Sequence, residues 1–241
     1  KAGIKVVMVT GDNELTAKAV GEEIGLLSEG DEILSGSQLN QLDEEEFAQI
    51  IGKVRIFARI KPQQKLRIVK AYQALGEVVA VTGDGVNDVL ALKQAEVGVS
   101  MGKMGTDTSK EASDIILLDD NFATLVTAIE QGRLIYSNIL KVVKFLLTGN
   151  LSEMLLIVGG AIFGLPAPLL PIQILWINFV TDGPPALALG FDSASANLMQ
   201  TPPQKKLAFL NKDSILFIIF GGGAISAICL IVFYITYITA G

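Results

Sequence analysis

The sequence predicts a membrane-anchored α/β protein: a doubly wound, mostly parallel sheet over residues 1–138, then an all-α transmembrane region of three helices over residues 139–241. Three observations predict it. Short β-branched apolar runs alternate with amphipathic helical patterns through residues 4–130, the signature of an open α/β sheet. Two of those runs end in the same Thr-Gly-Asp turn, at 10–12 and at 82–84. The C-terminal part holds long apolar runs that are nearly free of charge.

Charge divides the chain in the same place. Residues 1–138 carry 14 Lys/Arg against 21 Asp/Glu, whereas residues 139–241 carry 5 against 4. An acidic soluble half argues against a nucleic-acid partner, because a phosphate backbone requires a basic footprint. The one cysteine, Cys229, lies in an apolar run, so an intrachain disulfide is excluded. No signal peptide is visible and the chain opens on Lys1 rather than Met, which reads as a fragment of a longer protein.

In chain order, Ile4 to Val9 is a strand leading into Thr10-Gly11-Asp12. Glu14 to Ile24 is a helix with Leu15, Ala19 and Val20 on one face. A Thr hydroxyl and a glycine amide at a strand end, just before a helix N-terminus, make a small anion cradle; the bland alternative is an ordinary turn with Asp12 or Asn13 as N-cap. The acidic run Asp43 to Glu46 opens a helix through Phe47 to Ile51 and suits the positive end of its dipole. Val54 to Ala58 is a strand, Pro62 fits the first turn of the next helix, and Gln63 to Leu75 is amphipathic. Lys65 falls in that first turn, where a cation is unfavourable unless it faces an anion. Glu77 to Val81 is a buried strand, and Val97–Gly102 and Asp114–Leu118 are two more strands.

The stretch Thr82-Gly83-Asp84-Gly85-Val86-Asn87-Asp88 packs two carboxylates, an amide and two glycines into a strand-to-helix turn. Ligand groups of open α/β sheets collect at such strand ends. Hard cations such as Mg²⁺ are held by one or two carboxylates plus phosphate oxygens, so Asp84 and Asp88 are candidate Mg²⁺ ligands. An Asp-Gly turn capped by Asn87 and Asp88 is the structural alternative.

Thr10-Gly11-Asp12, Lys61-Pro62-Gln63-Gln64-Lys65, Thr82 to Asp88, and Met101-Gly102 with Gly105-Thr106-Asp107 together resemble the phosphorylation domain of P-type ATPases, in the haloacid dehalogenase-like superfamily. The resemblance implies that Thr10, Gly11, Asp12 and Lys65 line the site of the phosphoryl group transferred from ATP. It also implies that Asp84 ligates Mg²⁺ and that Asn87 and Asp88 hold the phosphate site and ion in place. Such a set suits phosphoryl transfer, in which a metal, a lysine and hydroxyl or amide donors stabilise charge spread over oxygens. The family's nucleophilic Asp, in an Asp-Lys-Thr-Gly-Thr string, does not occur here, nor do the nucleotide-binding and actuator domains. This chain is therefore expected to be inactive alone. Val89-Leu90 also departs from the Ala-Pro usual in relatives, which implies altered packing at that helix start.

Leu134 to Lys144 reads as a helix running unbroken from the soluble half into the bilayer. Phe145–Phe163, Leu169–Leu189 and Ile215–Ile238 are each long enough to cross a hydrocarbon core of roughly 30 Å, which predicts helices near 139–163, 169–190 and 214–239. Arg133, Lys141 and Lys144 precede the first span and Lys205, Lys206 and Lys212 lie between the second and third. The positive-inside rule then makes the protein multi-pass with its soluble domain cytoplasmic. Asn150 and Glu153 share one face of the first span, and Asn178, Thr181 and Asp182 share one face of the second. Carboxylates at membrane depth normally face a polar pathway, although helix–helix hydrogen bonding would account for Asn150 or Thr181. Gly183-Pro184-Pro185 is expected to interrupt the second span. An oxygen-only donor set suits Ca²⁺, Na⁺ or Mg²⁺, and two carboxylates favour a divalent ion.

Asn150-Leu151-Ser152-Glu153, and Leu175 to Gly183 with Ala186 to Asp192 after it, resemble the fifth and sixth membrane helices of calcium pumps of the sarcoplasmic-reticulum type and their bacterial relatives. The resemblance implies that Asn150, Glu153, Asn178, Thr181 and Asp182 bind transported Ca²⁺, with Asp182 able to bridge two ions. Pro184 stands where relatives often have Leu. The reading is a portion of an ATP-driven, Mg²⁺-dependent calcium pump, whose partners are the lipid bilayer and the remainder of the pump. The alternatives are a pump for Mn²⁺ or Na⁺, a membrane-anchored phosphatase of the same superfamily, and a non-catalytic ion-binding fragment.

Overall fold

A computed structural model describes residues 2–193, 197–202 and 211–240. Lys205 and Lys206, read above as basic residues beside a membrane span, lie outside the described residues. The chain divides into two units, one built on Lys1–Ala128 and the other on Ile129–Met199 with the C-terminal helix.

The first unit alternates strand and helix. Its elements are β1 (Met8–Val9), α1 (Glu14–Glu23), β2 (Glu32–Ser35), α2 (Gly36–Leu39), α3 (Glu44–Ile50), β3 (Val54–Ala58), α4 (Pro62–Ala74) and β4 (Ala80–Gly83). A 3-10 turn at Val86–Asp88 leads into α5 (Val89–Gln94), β5 (Val97–Met101), α6 (Asp107–Glu111) and β6 (Ile115–Leu117). Every strand pair is parallel, as the alternation requires. The single expected sheet comes as two three-stranded pieces, in the orders β1-β3-β2 and β4-β5-β6. β1 and β4, the strands that end in the twin turns, are both edge strands. The expected strand from Ile4 shrinks to Met8–Val9, and Val6 and Val78 beside these edges are exposed. Parallel strands are normally covered on both faces, so these edges are apolar and uncovered.

β3 is the centre of the first core. Val54, Ile56, Phe57 and Ala58 are fully buried, and Phe57 meets Phe47 of α3 edge-to-face with ring centroids 6.2 Å apart. Burial of a phenyl ring of this kind stabilises by about 2–3 kcal/mol. The acidic start of α3 is a capping box, with Asp43 accepting the Glu46 amide and Glu46 accepting the Asp43 amide. α1 corrects its expected face: Leu15, Ala19 and Val20 are exposed, and Ala17 and Gly21 are buried instead. A Cβ at Gly21 would stand 2.5 Å from Ile56 Cδ1, so only the face of small residues fits against β3.

The second unit is helical. α7 (Phe122–Ile162) runs 41 residues without a break, about 60 Å, and the boundary between the units falls within it. α8 (Pro171–Trp176) passes into a π-helical stretch (Ile177–Asp182) and then α9 (Gly183–Gly190); α10 (Lys212–Ala240) closes the chain. Among the described residues, two helices are long and apolar enough to cross a membrane, Phe122–Ile162 and Lys212–Thr239. The expected middle span is helical from Pro171 to Gly190 but changes its winding. The Gly-Pro-Pro sequence does not interrupt it. Pro184 and Pro185 bring no amide hydrogen and crowd the carbonyls four residues back, and i→i+5 winding over Ile177–Asp182 relieves both conflicts.

Candidate functional site

Two sets of polar residues stand out, one in each unit. In the first, the Thr10-Gly11-Asp12 turn is anchored by backbone bonds to the end of β3 and the start of α4. The Thr10 amide donates to Phe57 O (2.9 Å), Arg59 N donates to Asp12 O (2.8 Å) and Ile60 N donates to Thr10 O (3.0 Å). Arg59 adopts a positive φ of 52° to make this junction. Within the turn, Thr10 Oγ1 donates to Asp12 Oδ2 (3.0 Å) and accepts from the Asp12 amide (3.1 Å). Asn13, not Asp12, caps α1, accepting the Thr16 amide at 2.9 Å. Gly11 is exposed at the tip.

Pro62 opens α4 and places Lys65 in its first turn. The anion that faces Lys65 is the carboxylate of Asp88, with which its Nζ pairs directly. Asp88 is buried behind the turn that follows β4. Gly83 makes room for it: a Cβ there would lie 2.5 Å from the Asp88 Cβ. Asp84 and Asn87 are exposed on the same turn. The Asp84 carbonyl is held by the start of α6, accepting from Thr106 N at 2.9 Å and from Ser109 Oγ at 3.2 Å. Thr106 and Ser109 are thus supports that the motif reading left without a role. One step further back, Asp120 accepts the amides of Lys103 (2.9 Å) and Met104 (2.8 Å). Those bonds, the Lys103 amide first, hold its carboxyl below the usual carboxylate range.

The donors offered by Asp84 and Asp88 are oxygens on one short turn, as a hard cation requires. No group of three or more His, Cys, Asp or Glu side chains converges among the described residues.

In the second unit, Glu153 of α7 and Thr181 and Asp182 of the π stretch line one cavity of about 780 Å³, with Ser152, Ser226 and Cys229. Asp182 is buried, at 8% exposure. It lies beside Gly149 of α7, where a Cβ would make ordinary contact with Oδ1 at 3.5 Å. The two carboxylates, 29 positions apart in the chain, therefore line one mostly apolar chamber. Asn150 and Asn178 are exposed and do not line it. On a regular helix Asn178, Thr181 and Asp182 would share a face; the wider π turn swings Thr181 away from Asn178 and keeps Asp182, four residues on, close to one turn from it. Lys141 and Lys144 also line the cavity. Ser152 and Ser226 carry no signal in sequence that separates them from ordinary small packing residues of membrane helices.

Residues 1–96 match the haloacid dehalogenase-like hydrolase family, and residues 166–241 match the C-terminus of cation transporting ATPases. A haloacid dehalogenase-like domain followed by the C-terminal region of a cation transporting ATPase is the class that these two matches define. The chain is 52% identical over 204 residues to a calcium-transporting ATPase of Bacillus subtilis, covering 85% of this chain and 23% of that protein. It is 45% identical over 233 residues to calcium-transporting ATPase 1 of Bacillus cereus, covering 97% and 26%. Against the human calcium-transporting ATPase type 2C member 1 the identity is 43% over 216 residues, covering 89% and 24%. The chain belongs to the cation-transporting P-type ATPases, and it spans about a quarter of the length of these curated relatives.

Proposed function

We propose that this chain forms part of an ATP-driven calcium pump, contributing one segment of its phosphorylation domain and the membrane helices that hold part of its ion site. The observation that carries the reading is the meeting of Glu153 and Asp182 in one cavity between apolar helices. Two carboxylates at membrane depth are costly unless a cation passes there, and their oxygens suit Ca²⁺. Three relatives named as calcium-transporting ATPases support the choice of ion. Thr181 is a further ligand in this reading; Asn150 and Asn178 enter the ion site only if the helices rotate from the winding seen here.

In the first unit, Lys65 and Thr10 receive the phosphoryl group of ATP, with Gly11 and Asp12 shaping its cradle. Asp84 and Asp88 hold Mg²⁺, and Asn87 steadies the turn. The ion would supply charge neutralisation at the phosphoryl oxygens. Lys65 is kept in place by Asp88 until the phosphoryl group arrives, and the fixed Asp84 carbonyl holds the turn so that its carboxylate needs no reorganisation. A strand from the rest of the pump, carrying the phosphorylated Asp, would cover the free edges of β1 and β4. Without it the chain alone is inactive. α7 runs unbroken from Phe122 to Ile162 and is the rod along which the two activities are coupled. The soluble part lies on the cytoplasmic side of a multi-pass protein, with residues 1–138 forming it and 139–241 the membrane part.

ATP-dependent ⁴⁵Ca²⁺ uptake into vesicles holding the full-length pump tests this. Glu153→Gln and Asp182→Asn should each abolish uptake. Uptake that survives both substitutions, or a phosphoenzyme that forms without regard to calcium, would remove the ion assignment.

A further inference from the structure

We infer that Asn138, with the Lys141–Asp192 ion pair, is a latch that clamps the C-terminal end of α9 onto α7 and so sets the depth at which Asp182 meets Glu153. The inference rests on the pump reading and adds a positioning residue to it. Asn138 is 4% exposed, and all of its amide group is used. Its Nδ2 donates to Gly190 O (3.2 Å) and to Asp192 O (2.8 Å), while its Oδ1 accepts from Lys141 Nζ (3.2 Å). Lys141 pairs at the same time with the Asp192 carboxylate. The carbonyls at the end of α9 are groups that a helix leaves without intrahelical partners, and here a neighbouring helix satisfies them.

The consequence is one of register. Asp182 lies eight residues before Gly190, about 12 Å along a helix, and sits beside Gly149, which follows Asn138 on α7. The hydrogen bonds from Asn138 to Gly190 and Asp192 pin the end of α9 at one height on α7, and Asp182 sits beside Gly149 further along. A slip of one turn would move Asp182 by about 5.4 Å, out of reach of an ion shared with Glu153. The ion pair is about half exposed and contributes little alone; the buried amide carries most of the hold. A second tie, Arg133 Nη1 to Leu198 O at 2.8 Å, keeps the following chain against α7.

The test is calcium-dependent phosphoenzyme formation from ATP in the full-length pump, comparing wild type with Asn138→Asp, Asp192→Ala and the exchanged pair Lys141→Asp/Asp192→Lys. Asn138→Asp keeps the size and removes both N–H donors. It should raise the half-saturating calcium concentration about tenfold, with the maximal phosphoenzyme per folded protein unchanged. Asp192→Ala should raise it about twofold, and the exchanged pair should return it to near the wild-type value. A purely structural cap would lower the yield of folded protein and leave half-saturation where it was, which overturns the latch. Should Asn138→Asp not accumulate, the two variants at the more exposed ion pair decide on the same readout. A wild-type phosphoenzyme indifferent to calcium would instead overturn the pump reading, and the latch with it.

Discussion

Asp88 and Gly83 show how much one position can decide. The carboxylate that pairs with Lys65 occupies space that exists only because residue 83 has no side chain. Gly83→Ala should displace Asp88, cost about 1–3 kcal/mol of stability and lower the phosphoenzyme level of the full-length pump; unchanged melting and phosphorylation would contradict it. Asp120 makes a pH-dependent contribution of known sign. Its folded pKa is depressed by the amides of Lys103 and Met104, so its stabilisation is present above the ordinary carboxylate value and is lost as pH falls through the lowered one. Below about pH 4 the Met101–Thr106 loop should lose amide protection, and Asp120→Asn should remove that acid component. Asn tolerates the positive φ of 58° at this position, so the variant isolates charge from backbone conformation. Amide exchange of Lys103 and Met104 against pH reads both. The residue types of this site were legible in sequence: Thr10, Lys65, Asp84 and Asp88 announced themselves by their turns. The pairing of Lys65 with Asp88, 23 positions away, was not, because nothing local to either residue encodes the packing of α4 beside the 3-10 turn.

Among the elements, the π stretch at Ile177–Asp182 has the clearest functional weight. It follows from the proline pair after it, whose missing amides and bulky rings an α-helix could not absorb. Pro184→Ala with Pro185→Ala should allow ordinary i→i+4 winding. Asn178 would then share a face with Thr181 as well as Asp182, and calcium dependence of the phosphoenzyme should shift several-fold, about the size expected for one displaced ligand. An unaltered calcium dependence would show that the winding is incidental. The helical character of 171–190 was legible from its apolar length, and the trouble at Gly-Pro-Pro was legible too. Its resolution as a wider turn, instead of a break, was not, since that choice depends on what the neighbouring helices allow. α1 makes the same point in the first unit: its apolar residues Leu15 and Val20 suggested one face, and the close approach of Gly21 to Ile56 selected the other.

At the scale of the whole molecule, the two small sheets bear on the proposed covering strand. β1 and β4 expose edges, and parallel strands gain their stability from cover on both faces. Backbone amides at the β1 and β4 edges should exchange quickly in this chain alone and slowly in the full-length pump, whereas those of β3 should be protected in both. Equal protection at β1 and β4 in the two proteins would remove the proposed covering strand.

The sequence by itself determined the fold class, the alternation of elements, the twin turns and the apolar lengths, because each is written in short-range spacing of residue types and needs no partner to be read. Only the tertiary structure decided which carboxylates meet, which face of α1 is buried, how the prolines are absorbed, and that Asn138 reaches the end of α9. Those outcomes depend on volumes and hydrogen-bond partners brought together from distant parts of the chain, and a small residue such as Gly21 or Gly83 settles them by the space it leaves empty.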